Sequence, residues 1–338
     1  MHASRSMSER ALRYGLGLIA VFLIAPAANA FTLNVNCNAK EGLTTINAAL
    51  QELKRIPLSA PNTINVSGTC REYVLIQNMD RLTLNAINGA SIVDASNGTR
   101  EVIDVANSHG FTLTGFTITA TCPASCMSGP GADALSCYFG SDCLLINNTF
   151  SGAGNGSGIG VYALSRVVVE GGTVQNNYYG LFTNDSGEMH ALGITSQNNV
   201  AGVFLNHGGS VVFHAGVDGV TPSIIRNNTG QGIGTDLGAT VVVKAPAEIT
   251  ANGAEGISAV LGTKLFVGGG APGAVSITGN AGSGVSINDV SIAQFAGNAS
   301  VTGNGSPNVA CNAPTVVTAG AIAAAGGVAG LPFTNCSN

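Results

Sequence analysis

Three side chains that can move protons fall at one place in a repeated segment. Asp185, His207 and Asp236 lie four or five residues after Gly180, Gly202 and Gly232. Two carboxylates flanking a sugar bond can serve as acid and base, and an imidazole can carry the proton between them. The same columns supply Tyr162, Asn184 and Asn206, whose phenol and amides suit a hydroxyl-rich ligand. Read in full, the columns are Tyr162-Ala163, Asn184-Asp185, Asn206-His207, Asp236-Leu237, Val260-Leu261 and Asn288-Asp289. Asn and Asp are also favoured turn residues, so a turn at a strand end accounts for the column without any chemistry. A second outward patch comprises Arg166, Glu188, His190 and His214, where cross-strand pairing of Arg166 with Glu188 accounts for the charges.

What positions these residues is a repeat. Counting from Asn148 through Asn177, Asn199, Asn228, Asn252, Asn280 and Asn304, the intervals are 29, 22, 29, 24, 28 and 24 residues. A period of that length marks stacked supersecondary units. Each unit has a Gly followed by alternating apolar residues, then a second strand such as Val167–Val169, Val211–Phe213 or Val241–Val243, then a third ending at the Asn. Three forward-running strands per unit require parallel pairing between successive coils, with the first and third residues after Gly facing inward. Asn148, Asn177, Asn199 and Asn228 then form an inward ladder, because stacked amides can hydrogen-bond from coil to coil. Upstream, Ile46, Leu50 and Leu53 fall on one helical face behind a Thr44 or Thr45 cap, which predicts a helix closing the end of the stack. Residues 120–136 interrupt the rhythm and predict a protruding loop.

Residues 1–30 read as a secretory leader: Arg5, Arg10 and Arg13 precede an apolar run from Leu16 to Ala25, and Ala28-Asn29-Ala30 offers a cleavage site. Localisation is therefore expected to be periplasmic, extracellular or at the cell surface. The remaining 308 residues carry 10 Lys and Arg against 17 Asp and Glu, with no basic stripe, which excludes nucleic acid as the expected partner. No later segment is apolar enough to span a membrane. All eight cysteines, Cys37, Cys70, Cys122, Cys126, Cys137, Cys143, Cys311 and Cys336, lie beyond the leader, so disulfides are expected. Their grouping suggests Cys37–Cys70, Cys311–Cys336 and two bridges within 122–143. A metal site at Cys122 and Cys126 is the competing reading; disulfides are favoured, and no metal or cofactor is expected.

The repeats, the helix and the phrase Asn107-Ser-His-Gly-Phe-Thr-Leu-Thr-Gly-Phe-Thr-Ile118 resemble the bacterial right-handed parallel β-helix proteins of the pectin-lyase-like superfamily. The resemblance covers roughly 60–310. It implies an all-β, single-stranded right-handed parallel β-helix with an N-terminal capping helix. The expected divisions are leader 1–30, strand and capping helix 31–60, β-helix 61–310 and a disulfide-closed C-terminal cap 311–338. The superfamily includes pectate lyases, polygalacturonases, alginate epimerases, phage tailspikes and exported proteins of no assigned activity. Of the polygalacturonase motifs only Asn206-His207-Gly208-Gly209 is approached, and the pectate-lyase and methylesterase signatures are absent, so no site residue transfers. The expectation is an exported monomer of about ten coils that presents a polar surface to polysaccharide or envelope glycan without catalysis. The alternatives are a polysaccharide lyase or glycoside hydrolase using Asp185, His207 and Asp236, and a structural or adhesive surface protein.

Overall fold

The structure, a computed structural model, describes residues 30–55, 61–122, 131–311 and 316–318. The leader, Cys126 within the interrupting loop, and Cys336 with most of the expected C-terminal cap lie outside these residues. The described chain winds into a coil of parallel strands. One sheet holds ten strands, one from each coil; the other, of twenty strands, takes the remaining two strands of each turn.

Register explains the core. On the ten-stranded sheet Ile103, Leu135, Ile159, Leu181, Val203, Ile233 and Ile257 stand one above the next. On the other sheet Ile64, Leu84, Leu113, Leu145, Val169, Ala191, Phe213 and Val243 do the same. All of these side chains are buried and belong to one continuous apolar core. Mostly aliphatic and β-branched residues suit this geometry, since each buries its side chain against the residue one coil away.

From Asn177 onward the Asn column is the inward ladder expected from sequence; Asn148 is buried as expected but stands outside the amide chain, its Nδ2 donating to Leu113 O at 2.9 Å and its Oδ1 accepting from Phe116 N at 2.9 Å. Asn199 Nδ2 donates to Asn228 Oδ1 at 3.1 Å, Asn228 to Asn252 at 2.9 Å, Asn252 to Asn280 at 2.8 Å and Asn280 to Asn304 at 2.8 Å. Each of these acceptor oxygens also takes the backbone N–H of the preceding Asn, as in Asn228 N to Asn252 Oδ1 at 3.2 Å. The glycine that follows has a steric cause. A Cβ on Gly232 would lie 2.6 Å from Gly256 O and 2.8 Å from Asn252 Nδ2, so the coils close over the ladder only where that side chain is missing.

The helix Ile46–Lys54 is capped by Thr45, whose side chain accepts from Ala48 N at 3.1 Å. The Glu72 carboxylate, from the next coil, accepts from Ile46 N at 2.7 Å and Asn47 N at 3.0 Å, placing negative charge at the positive end of the helix. Ile46, Ala49, Leu50 and Leu53 are buried in the core, so the helix covers apolar surface at the start of the stack. Cys37–Cys70 and Cys137–Cys143 are disulfides, and Cys122 and Cys311 are disulfide-bonded as well. Among the described residues no helix is long and apolar enough to cross a membrane.

Candidate active site

Side chains pointing out from the ten-stranded sheet line up as strictly as those pointing in. One outward column runs Leu75, Asp104, Ser136, Gly160, Phe182, Phe204, Gly234 and Ser258. It carries an acid, Asp104, in its second coil and two aromatics, Phe182 and Phe204, further on. Asp104 sits inside the strand Ile103–Ala106, a setting in which aspartate is unfavourable.

Asp104 is held by two phenols. The hydroxyls of Tyr73 and Tyr138 both donate to Oδ2, each at 2.9 Å. Its other oxygen, Oδ1, is buried and has no hydrogen-bond partner. One coil further on, Asp133 Oδ1 accepts from Ser157 N at 2.6 Å, while Oδ2 accepts from Ser136 Oγ at 2.8 Å and the Tyr162 hydroxyl at 2.7 Å. The two aspartates, Glu101, Tyr138, Phe139 and Tyr162 line a cavity of about 420 Å³. The Arg100 guanidinium caps this end, 5.1 Å above the Tyr73 ring.

Burial raises the Asp104 carboxyl above the usual carboxylate range, only partly offset by the two phenol hydrogen bonds. Burial raises Asp133 in the same way against its three donors. Tyr73, Tyr138 and Tyr162 are pushed up, first by burial and then by the neighbouring carboxylates, and stay protonated donors. The cluster therefore combines carboxyl groups raised above the usual carboxylate range by burial with phenols that donate hydrogen bonds, the components of general acid catalysis.

Beyond Tyr162 the surface is aromatic. Tyr179 stacks on Phe182 with ring centroids 5.2 Å apart and 12° between planes, and on Phe204 at 5.0 Å and 18°. Tyr162 meets Phe182 at 5.5 Å, so the stack continues the cavity along the coil axis.

The residues singled out from sequence divide between this surface and the turns beside it. Tyr162 is in the cavity wall. Asn184, Asp185 and His207 come together at the rim of the sheet: His207 Nδ1 lies 3.0 Å from Asn184 Oδ1 and 3.7 Å from Asp185 Oδ1, with Asp185 and His207 exposed and Asn184 half-buried. Asp236 lies in the next coil, where its Oδ1 accepts from Leu237 N at 2.9 Å, and Asn206 Oδ1 likewise accepts from His207 N. The residue after this column is in the left-handed region in every copy: φ is 48° at Ala163, 48° at Asp185, 43° at His207, 43° at Leu237, 48° at Leu261 and 51° at Asp289. Alanine and leucine occupy the position as aspartate and histidine do, so the conformation belongs to the turn. In the second patch Arg166 and Glu188 are register partners, but Glu188 Oε1 is 2.8 Å from His190 Nε2, and the acid's hydrogen bond is with that histidine.

Asp104, Asp133, Tyr73 and Tyr138 did not emerge from the sequence columns, because these coils precede the first repeat glycine used to align them. A signal was present. An aspartate inside Val102-Ile-Asp-Val105 contradicts strand composition and marks a buried or functional carboxylate.

No curated protein matches the chain. Among solved structures it resembles the A-module of mannuronan C-5 epimerase AlgE4 from Azotobacter vinelandii, with a TM-score of 0.50 and 11% identity over 84% of this chain and 94% of that one. It also matches the GH136 lacto-N-biosidase from Eubacterium ramulus, with a TM-score of 0.41 and 9% identity over 85% of this chain and 68% of that one. The first likeness shows a shared β-helix fold. The family model described as the right-handed β-helix region matches residues 96–269, just over half of the chain. With its parallel coils, its Asn ladder and that match, the chain belongs to the right-handed β-helix family.

Proposed function

We propose that the chain is an exported enzyme that hydrolyses a neutral glycan in the Asp104 cavity. The observation that carries this reading is the Asp104 carboxyl, with one oxygen held by two phenols and the other buried in a cavity wall without a partner. Such a group is poised to give its proton to a leaving oxygen. Of the two further carboxyls at the cavity wall, Glu101 would be the second member of a glycosidase pair, and Asp133 positions Tyr162. The lining carries Glu101, Asp104 and Asp133, an acidic excess that the nearby Arg100 offsets only in part, so a neutral sugar suits it better than a polyuronate. The aromatic stack offers a half-buried apolar strip of ring edges against which the C–H surfaces of sugar rings can rest. The epimerase relative acts, by its name, on a polysaccharide, which agrees with a glycan ligand. The leader pattern and the disulfides support export.

The test is incubation of residues 31–338 with neutral polysaccharides and uronate polymers, reading new reducing ends and unsaturated products. Reducing ends from a neutral polymer, lost in Asp104→Asn, support the reading. Unsaturated ends from a polyuronate would replace hydrolysis by elimination. A second reading, glycan binding without turnover, is favoured by the Tyr179–Phe182–Phe204 stack, which needs no carboxylate to bind; glycan-array binding with no product identifies it.

A further inference from the structure

A different face of the coil carries a second cavity, of about 560 Å³, on the twenty-stranded sheet. Its lining includes Arg166, His190, His214 and Lys244 and no carboxylate. In a chain with so few cationic side chains, this clustering on neighbouring coils is a marked concentration of positive charge. Among the described residues neither Arg166 nor Lys244 takes part in a salt bridge. Val168 and Leu192 supply apolar lining. Two excursions also contribute lining residues: the loop 215–222, where Gly216 N bonds Thr221 O at 2.7 Å, and the part of Lys264–Thr278 that contains Gly270.

The histidines form a chain. His190 Nε2 is 2.8 Å from Glu188 Oε1, and His190 Nδ1 is 3.3 Å from His214 Nε2. The arrangement that satisfies every contact has His190 donating from Nε2 to the carboxylate and accepting at Nδ1 from His214 Nε2–H. His214 Nδ1 is then the atom at which one further proton makes the ring a cation. Burial, then Lys244 and His190, hold His214 below the ordinary imidazole value. The charged and titratable groups around it are Arg166, Glu170 and Glu188 from the preceding coils, Glu170 standing two coils away in the same register column, His190 beside it, Lys244 on the following coil and Asp218 in the loop. The Asp218 carboxylate is engaged by the N–H groups of Val220 and Thr221 and by the Thr221 hydroxyl. A ligand that brings negative charge relieves the mutual repulsion of these cations.

We infer that the cavity formed by Arg166, His190, His214 and Lys244 is a binding site for an oxyanion carried on a small, sugar-sized ligand, and that a proton on His214 is taken up with it. Carboxylate and sulfate share this chemistry, and glucuronate and inorganic sulfate are the probes that separate them. Both keep their charge between about pH 5 and 8, so any pH dependence belongs to the protein.

The experiment follows the imidazole resonances of residues 31–338 by NMR during titration with glucuronate and, separately, with sulfate at pH 5 and pH 8. The expected result is a saturable shift of His190 and His214, with His109 and His207 unmoved, at least about tenfold tighter at pH 5. Lys244→Met should weaken binding by about tenfold or more, with an unchanged circular dichroism spectrum. Arg166→Gln, at an exposed strand start, provides the same comparison if the first variant does not fold. Saturation by glucuronate alone assigns a carboxylate ligand, and saturation by sulfate alone a sulfate ester. Equal affinity at the two pH values, equal shifts of all four histidines, or full affinity in the charge-removing variant overturns the inference.

Discussion

Tyr162 reaches Asp133 by lying across the position where a side chain at residue 160 would stand. A Cβ on Gly160 would collide with Asp133 Oδ2 and with the Tyr162 ring, so the 2.7 Å hydrogen bond between the phenol and the carboxylate depends on a missing side chain. Gly160→Ala should displace the tyrosine and cost about 1–3 kcal/mol of stability. As the chain has no tryptophan, near-UV circular dichroism reports the tyrosines directly. An unchanged tyrosine signal and denaturation midpoint would show that the cavity wall tolerates the methyl group.

The cavity and the rim cluster make opposite kinetic predictions. Asp104→Asn should lower kcat on a neutral glycan by about a hundredfold or more, the scale of a lost general acid. Asp185→Asn and His207→Gln should leave turnover within about twofold, because these side chains are exposed at a turn whose conformation alanine and leucine share. The reverse ranking would move the chemistry to Asp185 and His207.

The same carboxyl should reveal itself in stability. Burial raises Asp104 and Asp133 above their unfolded values, so the folded state favours their protonated forms. That contribution is fully present below the unfolded pKa, near 3.8, and is lost as pH rises through the folded one. Asp104→Asn, which cannot ionise, should therefore raise the thermal midpoint by about 2–4 °C at pH 7. At pH 3.5 the difference should vanish. A midpoint that falls at pH 7 would mean that the ionised carboxylate is the form the fold favours.

Inside the coil the two asparagines of each Asn-Asn pair should differ. Asn228 is buried and bonded to both neighbouring coils, so Asn228→Ala strands partners above and below and should cost about 2–4 kcal/mol. Asn227 is exposed with φ at 53°, and replacing it with alanine should cost about 1 kcal/mol, the strain of that conformation. Urea denaturation of the two variants tests the ranking.

These contrasts show why the architecture was legible in the sequence and the cavity was not. The coil announces itself because each structural demand selects a residue type at a fixed place: an amide at Asn199 to continue the ladder, no side chain at Gly202 where the next coil closes over it. Asp104 answers no repeated demand. Its partners Tyr73 and Tyr138 lie 31 and 34 residues away, and only the register of the strands shows that three such separate residues converge. Asp185 and His207 are conspicuous for the opposite reason, since they occupy a column whose left-handed turn recurs with alanine and leucine in the same place.

The ladder also frees the coil from counting. From Asn177 to Asn199 is 22 residues and from Asn199 to Asn228 is 29, yet the amides at both steps join at nearly the same distance, 3.2 and 3.1 Å. The longer turn contains the loop 215–222. Similarly, the strand Lys264–Thr278 has 15 residues where its partner Thr240–Thr250 has 11, and its register shifts absorb the difference. Period is kept in hydrogen bonds, so individual turns can grow new walls while their neighbours stay in place. Both enlarged turns border the basic cavity, which makes them places where a lineage could remodel recognition without rebuilding the shaft.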